Sequence, residues 1–226
     1  MTDPRQQLHD ALDALDAAFA SRTELPVSVG GCTHCYSAAD LEALAGPVHQ
    51  IADDLIRCVA HEAPSHWDDF PGLYRKLTPR TIRFLVADKL NHDMVASWFI
   101  AAGWRNWTAT ECAALEDVWH AWWRSVLHSH PSTGDVTHVL ETLGVITGTL
   151  APWLTTWAQT RTEAADLHLR DALDQWLIED ELADLHFGFY KELHATPELL
   201  PWLVSLEDGR IDADQLVEVV RISSSH

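Results

Sequence analysis

Apolar side chains recur at intervals of three and four residues through most of this chain, and that period is the feature that most limits its fold. In residues 5–22, for example, Leu8, Leu12 and Leu15 share one helical face while acidic residues occupy the other. Glycine is scarce, with 10 among 226 residues, and it stands mostly between such segments. The pattern predicts an all-α fold.

Helix starts are marked by side chains that cap the unpaired N–H groups of a first turn. Ser37 with Asp40 and Thr108 with Glu111 match the capping box. Thr78, followed by proline, predicts a further start at residue 79. We expect helices over residues 5–22, 38–45, 47–62, 79–90, 93–102, 109–126, 133–143, 152–159, 162–185, 197–203 and 212–221, and one weak strand over 25–29.

Short connections between these segments make antiparallel neighbours the expected arrangement. We predict a single all-helical domain over residues 1–226, packed as an irregular multi-helix bundle or as a HEAT-like stack of antiparallel helix pairs. Residues 144–148, which begin and end with glycine, are the candidate hinge.

The chain is strongly acidic, with 15 basic and 34 acidic residues and a formal net charge of −19 at pH 7. This charge repels phosphate backbones and anionic lipid headgroups, so we expect no nucleic-acid partner and no membrane partner. We expect another protein as the partner, and the acidity favours a basic surface on it. No membrane span or secretory signal is recognisable, and four cysteines are too few for a disulfide scaffold, so we expect a cytoplasmic location.

The segment 30–35, Gly-Gly-Cys-Thr-His-Cys, holds the most informative chemistry of the chain. Two cysteines two residues apart can hold one metal ion where the chain curls around it, and glycine permits the dihedral angles that such a curl needs. The helix predicted after Ser37 places its positive end near Cys35, which favours the thiolate. We predict a zinc-knuckle-like turn that binds Zn²⁺ and fastens residues 23–70.

A structural zinc ion needs four ligands, so two more must come from elsewhere in the chain. His61 and His66 have four residues between them, a spacing common in zinc sites, and the helices predicted between residues 36 and 60 can fold back to bring them near. The predicted ligands are therefore Cys32, Cys35, His61 and His66. The spacer is longer than the usual ~12 to 15 residues.

Two further residues compete for these positions. Cys58 lies at the edge of the apolar face of its predicted helix, and its first interpretation is a small buried thiol. His34 stands between the paired cysteines, where its usual role is that of an exposed neighbour or a hydrogen-bond donor to the cluster. Either side chain could also coordinate the metal.

Eleven tryptophans, six of them between residues 98 and 123, are interpreted first as core and second as a binding surface. Trp122 and Trp123 are adjacent on one predicted helix, so both cannot face the same neighbouring helix. We therefore expect one of the two at a rim or groove.

No phosphate-binding loop, nucleophile elbow or zincin motif occurs in the sequence, so we predict no catalytic and no cofactor-binding residue. The expected function is that of a zinc-stabilised protein-binding or adaptor module. The alternative is an enzyme, either metal-dependent or a dithiol oxidoreductase that uses Cys32 and Cys35. The βαβ context that is typical of such oxidoreductases is missing from the predicted elements.

Overall fold

The computed structural model describes residues 3–24, 28–132, 134–206 and 209–224. Within these ranges the regular structure consists of eleven α-helices, a few short 3₁₀ turns and one two-stranded hairpin, so the predicted all-α multi-helix fold is confirmed. The predicted strand at 25–29 falls largely on residues 25–27, which lie outside the described ranges. None of the described helices is both long enough and apolar enough to cross a membrane.

The helices are α1 (Pro4–Thr23), α2 (Ala38–Ala45), α3 (Asp53–His61), α4 (Phe70–Val86), α5 (His92–Ala101), α6 (Ala109–Leu127), α7 (Val136–Thr147), α8 (Ala151–Gln159), α9 (Glu163–Trp176), α10 (Thr196–Ser205) and α11 (Ala213–Ser223). The strands are β1 (His186–Phe187) and β2 (Leu193–His194). The 3₁₀ turns cover Val48–Gln50, Pro64–His66, Trp104–Asn106 and Ile178–Asp184.

Both predicted capping boxes are present. Asp40 N–H donates to Ser37 Oγ at 3.2 Å, and Ser37 N–H donates to Asp40 Oδ2 at 2.9 Å. At the start of α6, Glu111 N–H donates to Thr108 Oγ1 at 3.3 Å, and Thr108 N–H donates to Glu111 Oε2 at 2.9 Å. These reciprocal bonds supply partners for N–H groups that a first helical turn leaves unpaired.

The predicted helix start at Thr78 is wrong. Helix α4 begins at Phe70, because Asp69 caps it by accepting the Gly72 N–H at 3.0 Å, and Pro79 lies inside the helix. The predicted helix over 47–62 is broken into a 3₁₀ turn and α3, and the one predicted over 162–185 ends as an α-helix at Trp176.

The chain forms two compact units, residues 1–122 and 123–226, and the division falls inside α6. In the first unit, Phe99 packs edge-on against Tyr74 and Trp119, with ring centroids 5.3 and 5.8 Å away. In the second unit, Trp157 packs against Trp123 and Trp176 at 5.4 and 6.5 Å. Each unit thus has an aromatic core of its own.

The expectation that Trp122 or Trp123 lies at a rim is wrong, because their side chains are only 2% and 0% exposed. Trp122 contacts Trp119 within the first unit, with ring centroids 6.4 Å apart. Trp123 donates its Nε1–H to Trp153 O at 2.9 Å within the second unit. Each indole is therefore buried within its own unit.

The candidate hinge at 144–148 coincides with the end of α7. A Cβ on Gly144 would overlap the Leu150 side chain, and Gly148 ends the helix with a φ of 75°. Local structure therefore explains both glycines: Gly144 allows close packing against Leu150, and Gly148 adopts the left-handed conformation that ends the helix. The hinge, and the single domain over residues 1–226, stay predictions.

Two cations with little-exposed side chains cap the carboxyl ends of helices, where the last carbonyl groups lack partners. Lys76 in α4 is 1% exposed, and its Nζ donates to the carbonyl oxygens of Leu44, Ala45 and Gly46 at 3.0, 2.9 and 2.6 Å. Arg210 donates in the same way to the carbonyl oxygens of Trp157 and Ala158 at the end of α8. The Lys76 contacts fix α2 against α4, the two helices that follow the candidate metal ligands.

Candidate metal centre

The site is formed by two segments that run side by side, residues 30–36 before α2 and residues 64–68 before α4. Gly31 and Trp67 form an isolated antiparallel bridge. Cys32 N–H donates to His66 O at 2.8 Å, and Asp68 N–H donates to Gly30 O at 3.0 Å. The pairing sets Cys32 directly beside His66.

Three of the four predicted ligands come together at this bridge. One ligand atom from each of Cys32, Cys35 and His66 lies within 4.8 Å of the other two. Cys35 is exposed, whereas Cys32 and His66 are half-buried. The group could therefore hold a metal ion that remains open to solvent on the Cys35 side.

The two glycines are required by the closeness of the paired segments. A Cβ on Gly31 would lie 2.8 Å from Trp67 Cε3 and 2.9 Å from His66 O. A Cβ on Gly30 would overlap the Asp68 carboxylate. Neither glycine has a positive φ, so the expectation that they supply unusual dihedral angles is wrong. Their role is to let residues 66–68 approach the cysteine turn.

The turn from Cys32 to Tyr36 directs backbone N–H groups at sulfur. Tyr36 N–H donates to Cys32 O at 3.0 Å, which closes the turn. The N–H groups of Cys35 and then His34 lower the pKa of the Cys32 thiol because they stabilise its thiolate. The pKa of Cys35 is raised by its side-chain hydrogen bond to Cys32. Cys32 is therefore the thiol that deprotonates first.

His66 has a ring nitrogen suited to a metal. Its Nδ1 atom is buried, and in the described part of the chain it has no hydrogen bond. Glu62 Oε1 lies 3.2 Å away, but outside hydrogen-bonding geometry. A buried polar atom without a partner is uncommon and points to an absent ion or water. The imidazole thus fits a ligand role.

Glu62 and Tyr36 form a second layer around this group. Tyr36 OH donates to Glu62 Oε2 at 3.3 Å, and Ala63 N–H donates to Glu62 Oε1 at 3.1 Å. The Tyr36 ring packs on the Trp67 ring with centroids 4.6 Å apart. Burial, and then the nearby Glu62 carboxylate, raise the pKa of Tyr36, so its hydroxyl stays protonated and can donate. The carboxylate is held beside His66.

His61 lies outside the group of three. It is the last residue of α3, and its Nε2 accepts the Asn91 N–H at 2.8 Å at the start of α5. Burial lowers its pKa, which keeps the ring neutral for that acceptor role. The structure gives His61 a partner in α5, and its predicted role as a zinc ligand stays a prediction.

Cys58 and His34, the two residues that compete for the ligand positions, are both exposed. Cys58 is exposed on α3, so its interpretation as a buried thiol is wrong. The reason is the helix phase, since α3 begins at Asp53 and buries Ile56, Val59 and Ala60. His34 is exposed, as an uninvolved neighbour would be. Glu62 and Tyr36 were not singled out in the sequence, although Glu62 stands four residues before His66 and Tyr36 directly follows Cys35.

Comparisons of the chain with protein-family models, with curated proteins and with solved structures gave no match in any of the three.

Proposed function

We propose that the chain is a zinc-stabilised, acidic helical protein of the reducing cytoplasm, and that it binds another protein as an adaptor module. The observation that supports zinc is the meeting of Cys32, Cys35 and His66 from two separate segments. Two thiolates and an imidazole favour Zn²⁺, whereas Mg²⁺ and Ca²⁺ prefer oxygen ligands. The ion would tie the turn before α2 to the turn before α4.

Glu62, from the second layer, is the proposed fourth ligand in place of His61. Its carboxylate lies outside the group whose ligand atoms are within 4.8 Å of one another, so it would have to move towards the sulfurs to bind. Its carboxylate lies 3.2 Å from the buried Nδ1 of His66 and is the acceptor for Tyr36 OH. Four protein ligands would close the coordination sphere, as in structural zinc sites. The unfolded chain has no preformed site, so zinc binding would add directly to the stability of the first unit.

Metal analysis of the purified chain tests the zinc proposal. We expect about one zinc per chain in the parent. Cys32→Ser, Cys35→Ser and His66→Gln should lose the metal. Cys58→Ser is the matched control, because it removes an exposed thiol from the neighbouring helix and should keep the metal. A parent that takes up no zinc, or a Cys58→Ser variant that loses as much as Cys32→Ser, would contradict the proposal.

Substitution of Co²⁺ for zinc tests the fourth ligand. Thiolate-to-metal absorption should show two thiolates in the parent and in Cys58→Ser alike. Glu62→Gln should change the ligand-field bands of the bound Co²⁺ while the thiolate absorption persists. Loss of one thiolate in Cys58→Ser would instead assign the fourth position to Cys58.

The charge supports a basic protein as the partner. Residues 123–226 contain 17 acidic and 6 basic residues, so the second unit contributes much of the negative charge. Such a field steers oppositely charged partners and is screened beyond about 10 Å at 0.1 M salt. Proteins captured with the purified chain should be basic and should dissociate as salt is raised. Neutral partners retained at high salt would contradict this part of the proposal.

A dithiol oxidoreductase is the second candidate, favoured by the lowered pKa of Cys32 and the hydrogen bond that joins it to exposed Cys35. These are features of a reactive thiol pair. A metal-free, stable parent with one fast-reacting thiol, lost in Cys32→Ser, would favour this candidate over zinc. A metal-dependent enzyme would instead keep a water in place of Glu62, and Glu62→Gln would then leave the Co²⁺ bands unchanged.

A further inference from the structure

The hairpin of the second unit is the other place where metal-binding side chains meet. Strands β1 and β2 pair antiparallel with His186 directly opposite His194. Phe187, which points to the other face, is 2% exposed, and Ala195 N–H donates to Leu185 O at 2.8 Å. At the turn, Gly188 N–H donates to Glu141 Oε1 of α7 at 2.7 Å. The open end of the hairpin is therefore closed by its own backbone, and its turn is anchored to α7.

This register brings two imidazoles and one carboxylate together. The rings of His186 and His194 stack with centroids 4.5 Å apart and planes only 8° from parallel. Asp184 Oδ1 lies 3.5 Å from His194 Nε2 and 3.7 Å from His186 Nδ1. One ligand atom from each of the three residues lies within 4.8 Å of the other two.

The backbone also selects the tautomer of one imidazole. His186 Nδ1 lies 3.0 Å from the carbonyl oxygen of Asp184. A carbonyl oxygen can only accept, so Nδ1 carries the proton and Nε2 keeps its lone pair. His186 would therefore bind a metal through Nε2, while Nδ1, the nitrogen that lies 3.7 Å from Asp184 Oδ1, would donate to the carbonyl group, an arrangement common among histidine ligands.

We propose that Asp184, His186 and His194 bind a divalent transition-metal ion of the Zn²⁺ or Ni²⁺ class. Imidazole ligands suit these ions better than Mg²⁺ or Ca²⁺. Asp184 and His194 are exposed, so water would fill the remaining coordination positions. The site lies wholly within the second unit, and it does not depend on the cysteine group of the first unit.

Calorimetric titration of the full chain with Ni²⁺ tests the site. The parent, loaded with one equivalent of Zn²⁺, which the thiolate site takes ahead of the two imidazoles, should bind about one Ni²⁺. His186→Gln and His194→Gln should each weaken this binding at least ~10-fold, because loss even of a residue that only supports a ligand costs 10- to 100-fold. Asp184→Asn should weaken it as well. His194 is exposed, so its variant should keep the parent's unfolding temperature without metal.

His9→Gln is the matched control. His9 is exposed in α1 and lies 3.2 Å from Asp13, which makes it a histidine–carboxylate pair without a second imidazole. The His9→Gln variant should bind Ni²⁺ with the same affinity as the parent. The proposal would be overturned if the double variant His186→Gln/His194→Gln bound Ni²⁺ as tightly as the parent, or if the parent bound none.

Discussion

Replacement of Gly31 by alanine should separate the cysteine turn from His66. The new Cβ would lie 2.8 Å from Trp67 Cε3 and 2.9 Å from His66 O, where 3.4 Å is the start of ordinary contact. The two segments must therefore move apart by about 0.6 Å or twist. Neither obstacle is the far end of a flexible side chain, because one is backbone and the other is a packed indole ring.

The expected loss follows from the contacts at the bridge. Inserting a methyl group into a filled space costs about 1–3 kcal/mol. The hydrogen bonds Cys32 N–H to His66 O and Asp68 N–H to Gly30 O are each worth about 0.5–1.5 kcal/mol and would weaken. If zinc binding requires the two segments to be bridged, destabilising the bridge by about 2 kcal/mol weakens zinc binding roughly 30-fold.

The assay is zinc competition against a chromophoric chelator, together with thermal unfolding with and without EDTA. Gly46→Ala is the matched control, since its Cβ would meet Ala43 O only at 3.4 Å and its φ is −74°. The Gly46→Ala variant should bind zinc with the same affinity as the parent. Unchanged zinc affinity in Gly31→Ala would refute the reasoning that close approach at this glycine assembles the site.

Three further changes test two buried polar groups, Lys76 and His168, and the half-buried Glu198. Lys76→Met should lower the free energy of unfolding by about 2–4 kcal/mol, because three carbonyl oxygens lose their donor. Chemical denaturation measures this free energy, and a loss below about 1 kcal/mol would contradict the prediction. Burial lowers the pKa of His168 below its ordinary 6.5, so as pH falls the imidazole is protonated in the unfolded chain before it is protonated in the folded one. The parent should therefore lose stability below about pH 6.5, until His168 is also protonated in the folded chain. The loss amounts to about 1.4 kcal/mol for each unit by which the pKa is lowered, and His168→Gln should remove it. If the variant differed from the parent in free energy of unfolding by the same amount at neutral and at acid pH, this prediction would be wrong. Glu198→Gln should cost about 1 kcal/mol in thermal unfolding, because Glu198 Oε2 accepts the Leu150 and Ala151 N–H groups at the start of α8; an unchanged midpoint would rule this out.

The features that could be predicted from the sequence are local ones. The capping boxes at Ser37 and Thr108 involve residues three apart, and the spacing of Cys32 and Cys35 defines half of the site. The choice of histidine could not be predicted in this way, because it depends on the pairing of Gly31 with Trp67, 36 residues along the chain. The end of α3 at His61 directs that ring towards α5 instead.

The hairpin was missed for a physical reason. Its strands contain two residues each, too few to show the alternation that predicts a strand. Its geometry depends on contacts with α7 and on the bond from Ala195 to Leu185, which are tertiary. His186 and His194 therefore look like isolated histidines in the sequence, although they face each other in the fold.

Burial of Lys76 also decides how the protein reacts with amine-directed reagents. The sequence contains only three lysines, and Lys76 is shielded by the carbonyl groups it contacts. Among the lysines, acylating dyes or crosslinkers should therefore attach at exposed Lys89 and Lys191. Lys191 lies in the turn between β1 and β2, so a fluorophore there would stand a few residues from His194 and could report a quenching cation.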